Sequence, residues 1–335
     1  MKESCPYGSH RVIEPPGVMP QAAWKLDNTM EPRENELLID VDKLNIDAAS
    51  FRQIREEAGE DPGGIKKIIM RTVAERGKQH NPVTGSGGML LGSVNRAGKD
   101  FPTPVHPGQR VATLVSLSLT PLRIDRIMGV DEERDQLRIE GQAILFASGI
   151  FASLPDDLPE DFALAMLDVA GAPAQTAKLV RPGDTVLVIG GGGKSGLLCL
   201  YEARRRAGVT GRIVGVSYSA GGCDRIREAG FADVVVRADA TRPLDFDRRF
   251  SDALQGGLAD TTINCVDVPG TEMASILATR DGGTVYFFSM ATSFTAAALG
   301  AEGVGRDVKM LIGNGYTKGH AEIVLDIARK VRHLF

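Results

Sequence analysis

Pro182-Gly183-Asp184-Thr185-Val186-Leu187-Val188-Ile189-Gly190-Gly191-Gly192-Gly193-Lys194-Ser195-Gly196 is the stretch that decides the fold. A polar turn, Pro182 to Asp184, opens onto the β-branched and apolar run Thr185–Ile189. That run is too short for a buried helix and reads as a strand covered on both faces. Four glycines follow at once, and Leu197-Leu198-Cys199-Leu200-Tyr201-Glu202-Ala203-Arg204 continues in a helical pattern. Gly191, Gly193 and Gly196 satisfy G-x-G-x-x-G between a strand and a helix, the context in which the motif marks a dinucleotide site. The chemistry asks for glycine three times: for a tight turn, for approach of the backbone to a pyrophosphate, and for packing of helix on strand. The anion rests on N–H groups at the positive end of the helix, here the end formed by Gly193, Lys194, Ser195 and Gly196. A P-loop reading of Gly193-Lys194-Ser195 fails. That motif needs a glycine five residues before Gly193, and Val188 stands there.

Outward from this stretch, helix and strand patterns alternate. Asp161–Leu179 reads as one helix and Lys194–Ala207 as another, with Cys223–Ala229 helical further on. Arg212–Val216, Val234–Val236, Thr261–Val266 and Thr284–Ser289 read as strands, and residues 321–334 as an amphipathic helix. Such alternation predicts a parallel sheet with helices on both faces, the doubly wound Rossmann arrangement of the α/β class. In open sheets of this kind ligands lie at the carboxyl ends of the strands. That places Gly190–Gly193, Ser217, Ser219, Cys265, Val266, Asp267, Ser289 and Met290 along one crevice. The first 150 or so residues are different in character. Glu34–Ile46, Gln109–Ser116 and Gln142–Ala147 read as strands, Asp47–Ala58 as a helix with Asp47 as N-cap, and Gly77–Gly92 as a glycine-rich turn region. The expected organisation is a β-rich domain over 1–158, a dinucleotide-binding domain over 159–317, and a closing helix over 318–335 that returns to the first domain.

With 335 residues, 43% hydrophobic and 24% charged, the chain is long enough for two ordinary cores. A net charge of −4 gives no electrostatic footprint for nucleic acid. No apolar run reaches the roughly 18 residues of a membrane span, and the N-terminal segment has no apolar signal core. The expected setting is cytoplasmic. Cys5, Cys199, Cys223 and Cys265 show no metal-ligand spacing, and Cys199 and Cys265 read as core residues.

A carboxylate about 20 residues past the glycines would favour NAD through the ribose hydroxyls. The second strand instead ends in Ser217-Tyr218-Ser219, with Arg225 within reach of a 2′-phosphate. The sequence therefore leaves NAD and NADP both open.

Taken in order, these segments resemble the medium-chain dehydrogenase/reductase superfamily, the alcohol dehydrogenase-like proteins. Glu34–Ile46 is similar to its early strand, Gly85-Ser86-Gly87-Gly88-Met89-Leu90-Leu91-Gly92 to its G-H-E-x-x-G region, and Pro107–Val111 to its p-G-D-R-V. Pro182–Gly196 and Asp281–Val285 resemble its glycine loop and its p-G-G-r-v. The resemblance implies a GroES-like catalytic domain joined to the Rossmann domain, and a homodimer formed by pairing of Thr284–Ser289 with its copy. The zinc ligands of the superfamily are missing. Residues 44–50 contain no Cys, Gly85-Ser86-Gly87 replaces G-H-E, and Leu167–Thr176 contains neither Cys nor His. Catalytic zinc needs three protein ligands, so the chain reads as a zinc-free member. The run Gly77–Gly92 is similar to one branch, which oxidises the C3 amine of a diamino acid with NAD(P)+ in lysine fermentation, giving a ketone and ammonia.

That resemblance puts Lys78, His80, Asn81, Thr84 and Ser86 at the reacting end of the substrate. His80 reads as a base or as a turn histidine. Lys78 reads as a carboxylate anchor, as a desolvated base, or as a loop lysine. Asn81, Thr84 and Ser86 would orient water or amine, with Gly85, Gly87 and Gly88 supplying backbone shape. Asp267 would meet the cofactor or the distal ammonium. Two other readings remain: a zinc-free NADPH-dependent reductase of enones, quinones or enoyl thioesters, and a non-enzymatic dinucleotide-binding protein.

Overall fold

The computed structural model describes residues 4–81, 85–289, 291–313 and 315–335. The chain divides into two units, Met1–Asp168 and Val169–Phe335. Thr84 and Met290 lie outside the described residues.

The first unit is built on strands β1 (Val12–Glu14), β2 (Lys25–Leu26) and β3 (Glu36–Asn45), helices α1 (Ala48–Glu57) and α2 (Pro62–Arg76), strands β4 (Met89–Ala97), β5 (Arg110–Thr113), β6 (Leu122–Asp131), β7 (Gln136–Phe146) and β8 (Phe151–Ser153), and helix α3 (Glu160–Leu167). Six of the strands form one antiparallel sheet in the order β6-β7-β3-β4-β5-β8. Its inner face carries Leu37, Ile39, Leu44, Leu90, Leu122 and Leu137, packed in one cluster with Ile65, Ile69 and Val73 of α2. Those three α2 residues recur every four positions and so form a single helical stripe. The sequence reading assigned no element to residues 62–76, because Gly63 and Gly64 weaken the helical pattern at its start. The structure supplies the missing nucleation: Asp61 accepts from the N–H groups of Gly63 and Gly64, Pro62 occupies the first turn, and Gly77 closes the helix at φ 68°.

Glu36 and Arg11 are both fully buried. The carboxylate accepts from Arg11 Nε at 2.8 Å and Nη2 at 2.6 Å, from His10 Nε2 at 2.7 Å and from the Arg33 N–H at 2.8 Å. The rest of the guanidinium donates to the carbonyls of Thr29 and Glu31, which ties residues 27–31 onto the start of β3. Because His10 Nδ1 accepts from the Cys5 N–H, its proton sits on Nε2 and faces Glu36.

The second unit runs α4 (Gly171–Leu179), β9 (Thr185–Ile189), α5 (Lys194–Ala207), β10 (Arg212–Ser217), α6 (Ala220–Ala229), β11 (Val234–Arg237), α7 (Pro243–Leu254), β12 (Ala259–Asn264), α8 (Glu272–Leu277), β13 (Thr279–Phe287), α9 (Phe294–Gly303), β14 (Lys309–Ile312) and α10 (His320–Val331). Its six strands are all parallel in the order β11-β10-β9-β12-β13-β14. Counted from β9, that is 3-2-1-4-5-6, the Rossmann order, with the switch point between β9 and β12. Val186, Leu187 and Val188 are wholly buried, as a strand covered on both faces requires.

Two expectations are corrected. The helix expected over Asp161–Leu179 is two, α3 and α4. Pro173 cannot take part in a helix continuous with α3, since it lacks an N–H and its ring opposes the carbonyl four residues back; it is accommodated in the first turn of α4. Helix α10 packs on α4 and α5. Strand β13 lies between β12 and β14, with both of its edges paired, so it offers no edge to a second copy. Among the described residues no helix is long and apolar enough to cross a membrane.

Candidate active site and nucleotide site

The glycine loop follows β9 directly. Gly190 turns at φ 80°, a left-handed backbone that favours glycine. Two further positions leave no room for a side chain. A Cβ at Gly196 would lie 2.1 Å from the Gly190 carbonyl oxygen, and one at Gly192 would lie 2.4 Å from that of Gly222 in the first turn of α6. At Gly193 the nearest neighbour would be 3.5 Å away, so the N-cap of α5 is open. Helix α5 therefore presents first-turn N–H groups that have no acceptor within the helix. This open cradle at a helix N-terminus fits a dinucleotide pyrophosphate.

The structure gathers the other expected crevice residues at the carboxyl ends of their strands. Ser217 closes β10, and Ser219 caps α6 by accepting from the Gly222 N–H at 3.0 Å. Cys265, Val266 and Asp267 follow β12: the Cys265 N–H donates to the Ile189 carbonyl at 2.9 Å, and Asp267 is exposed. Ser289 follows β13, and its hydroxyl accepts from the Ala291 N–H at 3.1 Å. Arg225, expected near a 2′-phosphate, donates from Nε to the Gly192 carbonyl at 2.8 Å and so braces the glycine loop. Arg237, which the sequence reading passed over, reaches the same corner and donates to the Tyr218 carbonyl at 3.2 Å. Cys199 Sγ lies 3.8 Å from Cys265 Sγ in the core beneath the loop, and among the described residues no third His, Cys, Asp or Glu joins them.

In the first unit the polar segment after α2 is folded back on itself. The Asn81 N–H donates to the Ser86 carbonyl at 2.8 Å, and the Gly85 N–H to the Asn81 carbonyl at 3.0 Å. Gly88, at φ 88°, lets this loop pass so close to β3 that a Cβ would sit 2.0 Å from the Asn45 carbonyl. Lys78 is fully buried. Its Nζ donates to the Pro20 carbonyl at 2.7 Å and the Gln21 carbonyl at 3.2 Å, and the Arg76 guanidinium stacks 3.8 Å from the Trp24 ring centre. Both cations thus pin residues 20–24 over the end of α2. Burial, with help from Arg76, pushes the Lys78 amine down to about 8.

His80 is half-buried, and its Nδ1 is inaccessible and without a hydrogen-bond partner. Burial first, then the charges of Lys78 and Arg76, push the imidazole down to about 4, so it is neutral at ordinary pH. Gln79, missed in the sequence reading, is buried with Oε1 also unpartnered. Asn81 is buried and donates from Nδ2 to Ser50 Oγ at 2.8 Å. Ser86 is half-buried in the same loop. Buried polar atoms without partners are uncommon in native proteins and mark places where a ligand or water belongs. Among the described residues no three His, Cys, Asp or Glu side chains gather to hold a metal ion.

A parallel Rossmann sheet in the order 3-2-1-4-5-6, following an antiparallel β-rich unit, is the architecture of the medium-chain dehydrogenase/reductase fold. Among solved structures, a mycobacterial quinone oxidoreductase is similar at TM-score 0.59 and 19% identity, over 93% of this chain and 86% of that one. The chain has the fold of this class, with a glycine loop shaped for a dinucleotide. The particular family follows from its sequence relatives. Residues 10–155 match the L-erythro-3,5-diaminohexanoate dehydrogenase N-terminal domain. The L-erythro-3,5-diaminohexanoate dehydrogenase of Acetoanaerobium sticklandii is 56% identical over 330 residues, 98% of this chain and 96% of that protein. The Fusobacterium nucleatum enzyme of the same name is 54% identical over 332 residues, again 98% and 96%. The chain belongs to the L-erythro-3,5-diaminohexanoate dehydrogenase family.

Proposed function

We propose that this chain oxidises the C3 amine of L-erythro-3,5-diaminohexanoate with NAD(P)+ and water, giving 5-amino-3-oxohexanoate and ammonia. The observation that carries the reading is 56% identity along nearly the whole chain to a dehydrogenase named for that substrate. The likeness to a quinone oxidoreductase is one of fold and does not argue for reduction of quinones or enones.

When bound, the nicotinamide supplies the hydride acceptor; the chain supplies proton transfer, orientation and exclusion of water. Hydride leaves a carbon bearing a neutral amine, so the C3 ammonium first needs a proton acceptor. We assign that task to His80, whose neutral imidazole has an unpartnered nitrogen. Lys78, held by the Pro20 and Gln21 carbonyls, fixes the N-terminal loop and keeps His80 uncharged. Asn81, Ser86 and Thr84 would align the amine and the water that releases ammonia from C3. Asp267 would receive the distal ammonium. The reading is zinc-free, which the absence of a three-ligand cluster among the described residues supports.

Either NAD or NADP fits a second strand that ends in Ser217 and lacks a carboxylate. A homodimer belongs to the same reading, with contact through β14, whose outer edge is unpaired among the described residues and which lies in a region where Ile312, Leu299 and Phe294 are exposed. The setting proposed is the cytoplasm.

Incubation with 3,5-diaminohexanoate and NAD+ or NADP+ is expected to reduce the cofactor with matching ammonia release, at a rate EDTA does not change. Loss of that rate on chelation would overturn the zinc-free mechanism. His80→Asn is expected to lower kcat by about 10²-fold or more, the usual contribution of a positioned base. An imidazole at about 4 is already deprotonated above roughly pH 5. The ratio of wild-type to variant kcat should then stay constant between about pH 6 and 9. A step in that ratio near pH 6.5 would show His80 titrating at its ordinary value, and an unchanged kcat in His80→Asn would remove it from the role assigned to it.

A further inference from the structure

The loop that follows β12 is held from beneath by one side chain. Sheet pairing at this end closes with the Cys265 N–H on the Ile189 carbonyl at 2.9 Å and the Phe288 N–H on the Asn264 carbonyl at 3.0 Å. One residue on, the Val266 N–H lies beyond the sheet and donates to Asn264 Oδ1 at 2.9 Å. That donor decides which end of the carboxamide is oxygen, since an N–H cannot face an NH2. Nδ2 therefore points the other way, donating to Thr271 Oγ1 at 2.8 Å and to Ser275 Oγ at 3.0 Å where α8 begins. The anchor is itself fixed. Ser275 Oγ donates to the Thr271 carbonyl at 3.1 Å, Thr279 Oγ1 donates to the Ser275 carbonyl at 2.7 Å, and Thr262 Oγ1 lies 2.7 Å from Thr279 Oγ1. Thr262, Asn264, Thr271, Ser275 and Thr279 are all buried.

A Cβ at Gly190 would lie 3.2 Å from Val266 Cγ2, so the loop that Asn264 holds borders the glycine loop directly. We propose that Asn264 is a positioning residue for the nucleotide. Its carboxamide joins the two ends of the loop 265–270 and sets the backbone of Cys265, Val266 and Asp267 at the switch point, the crevice in which open α/β sheets take their ligands. The proposal rests on the placing of those three residues in the nucleotide crevice. A strand end that needed only to be covered would carry an apolar residue. Ile189 and Phe287 stand level with Asn264 on the two neighbouring strands, and both are apolar and buried. A buried amide in that place costs stability unless its groups are bonded, and here its oxygen is bonded to the crevice loop.

Two variants of the same network separate positioning from stability. Asn264→Ala gives up the bonds to Val266, Thr271 and Ser275 without adding bulk. It is expected to raise the Kd for NADH, read by fluorescence titration, by about 10-fold, the effect on an equilibrium of losing one buried hydrogen bond. The KM for NAD(P)+ should rise in step. Thr262→Val breaks the network at its far end, at the hydroxyl of Thr279, and leaves the loop untouched. It should lower the melting temperature and keep the wild-type Kd. A role in stability alone predicts a lower melting temperature with an unchanged Kd for both variants, and that result would overturn the proposal.

Should Asn264→Ala fail to fold, Thr271→Val decides the matter. It keeps the β-branched shape and the Val266 bond but removes one acceptor that anchors the carboxamide to α8. The Kd for NADH should then rise by about threefold, and a wild-type Kd would overturn the proposal. Titration with NADH needs no turnover, which keeps the inference distinct from the amine-oxidation reading. The expected Kd changes in a protein that leaves 3,5-diaminohexanoate untouched would support the inference and refute the activity.

Discussion

Glu36→Gln is expected to destabilise the first unit by about 3–5 kcal/mol, the usual cost of removing one partner from a buried ion pair. Burial by itself would raise this carboxyl, but hydrogen bonds from Arg11, His10 and the Arg33 N–H outweigh it and hold the group at about 2. Glutamine keeps the shape but leaves the Arg11 guanidinium buried without a countercharge. The wild-type contribution is pH-dependent in a defined direction. A carboxyl lowered in the folded state stabilises fully above its unfolded value, roughly 4.3, and loses that stabilisation as pH falls toward about 2. Urea midpoints of wild type and Glu36→Gln should therefore differ fully above about pH 5 and converge only as pH falls toward about 2. A gap that does not depend on pH would mean that the carboxylate charge contributes nothing there.

Gly192→Ala is expected to abolish nucleotide binding while leaving the first unit folded. The new methyl would sit 2.4 Å from the Gly222 carbonyl oxygen and 2.6 Å from its Cα, where backbone meets backbone and no side chain can swing aside. Helix α6 would have to move off the glycine loop, breaking the Arg225–Gly192 bond and tilting Ser219 away. Overpacking of this kind costs about 1–3 kcal/mol in a close-packed interior. The larger effect falls on the cradle, whose shape depends on that contact. Gly221→Ala, on the exposed side of α6, serves as the control, because a Cβ there meets nothing within 4 Å. Fluorescence titration with NADH should show at least 100-fold weaker binding for Gly192→Ala; equal binding by the two variants would contradict the assignment of the loop.

The second unit was legible because its signals are local. A strand, a run of glycines and a helix lie within about twenty residues, and β9 and α5 stand where that pattern puts them. What depends on tertiary approach was not legible. The motif singled out Gly191, Gly193 and Gly196, yet the crowded positions are Gly192 and Gly196, because Gly222 arrives from another helix. The edge strand β14 was missed, so β13 was mistaken for the free edge. The burial of Glu36 went unread, since nothing nearby in sequence announces that Arg11 pairs with it from 25 residues away. The loop 77–88 was found through its family resemblance, but the roles within it are fixed by distant partners. Pro20 and Gln21 hold Lys78, Ser50 holds Asn81, and the low value at His80 comes from burial that a sequence does not display.

The most direct test of the central claim is to follow hydride from the substrate carbon itself. L-erythro-3,5-diaminohexanoate carrying deuterium at C3 should transfer it to C4 of the nicotinamide, one atom for each ammonia released. Cofactor recovered without deuterium, or a protein that leaves the diamine untouched while consuming NADPH with an enone, would contradict the account.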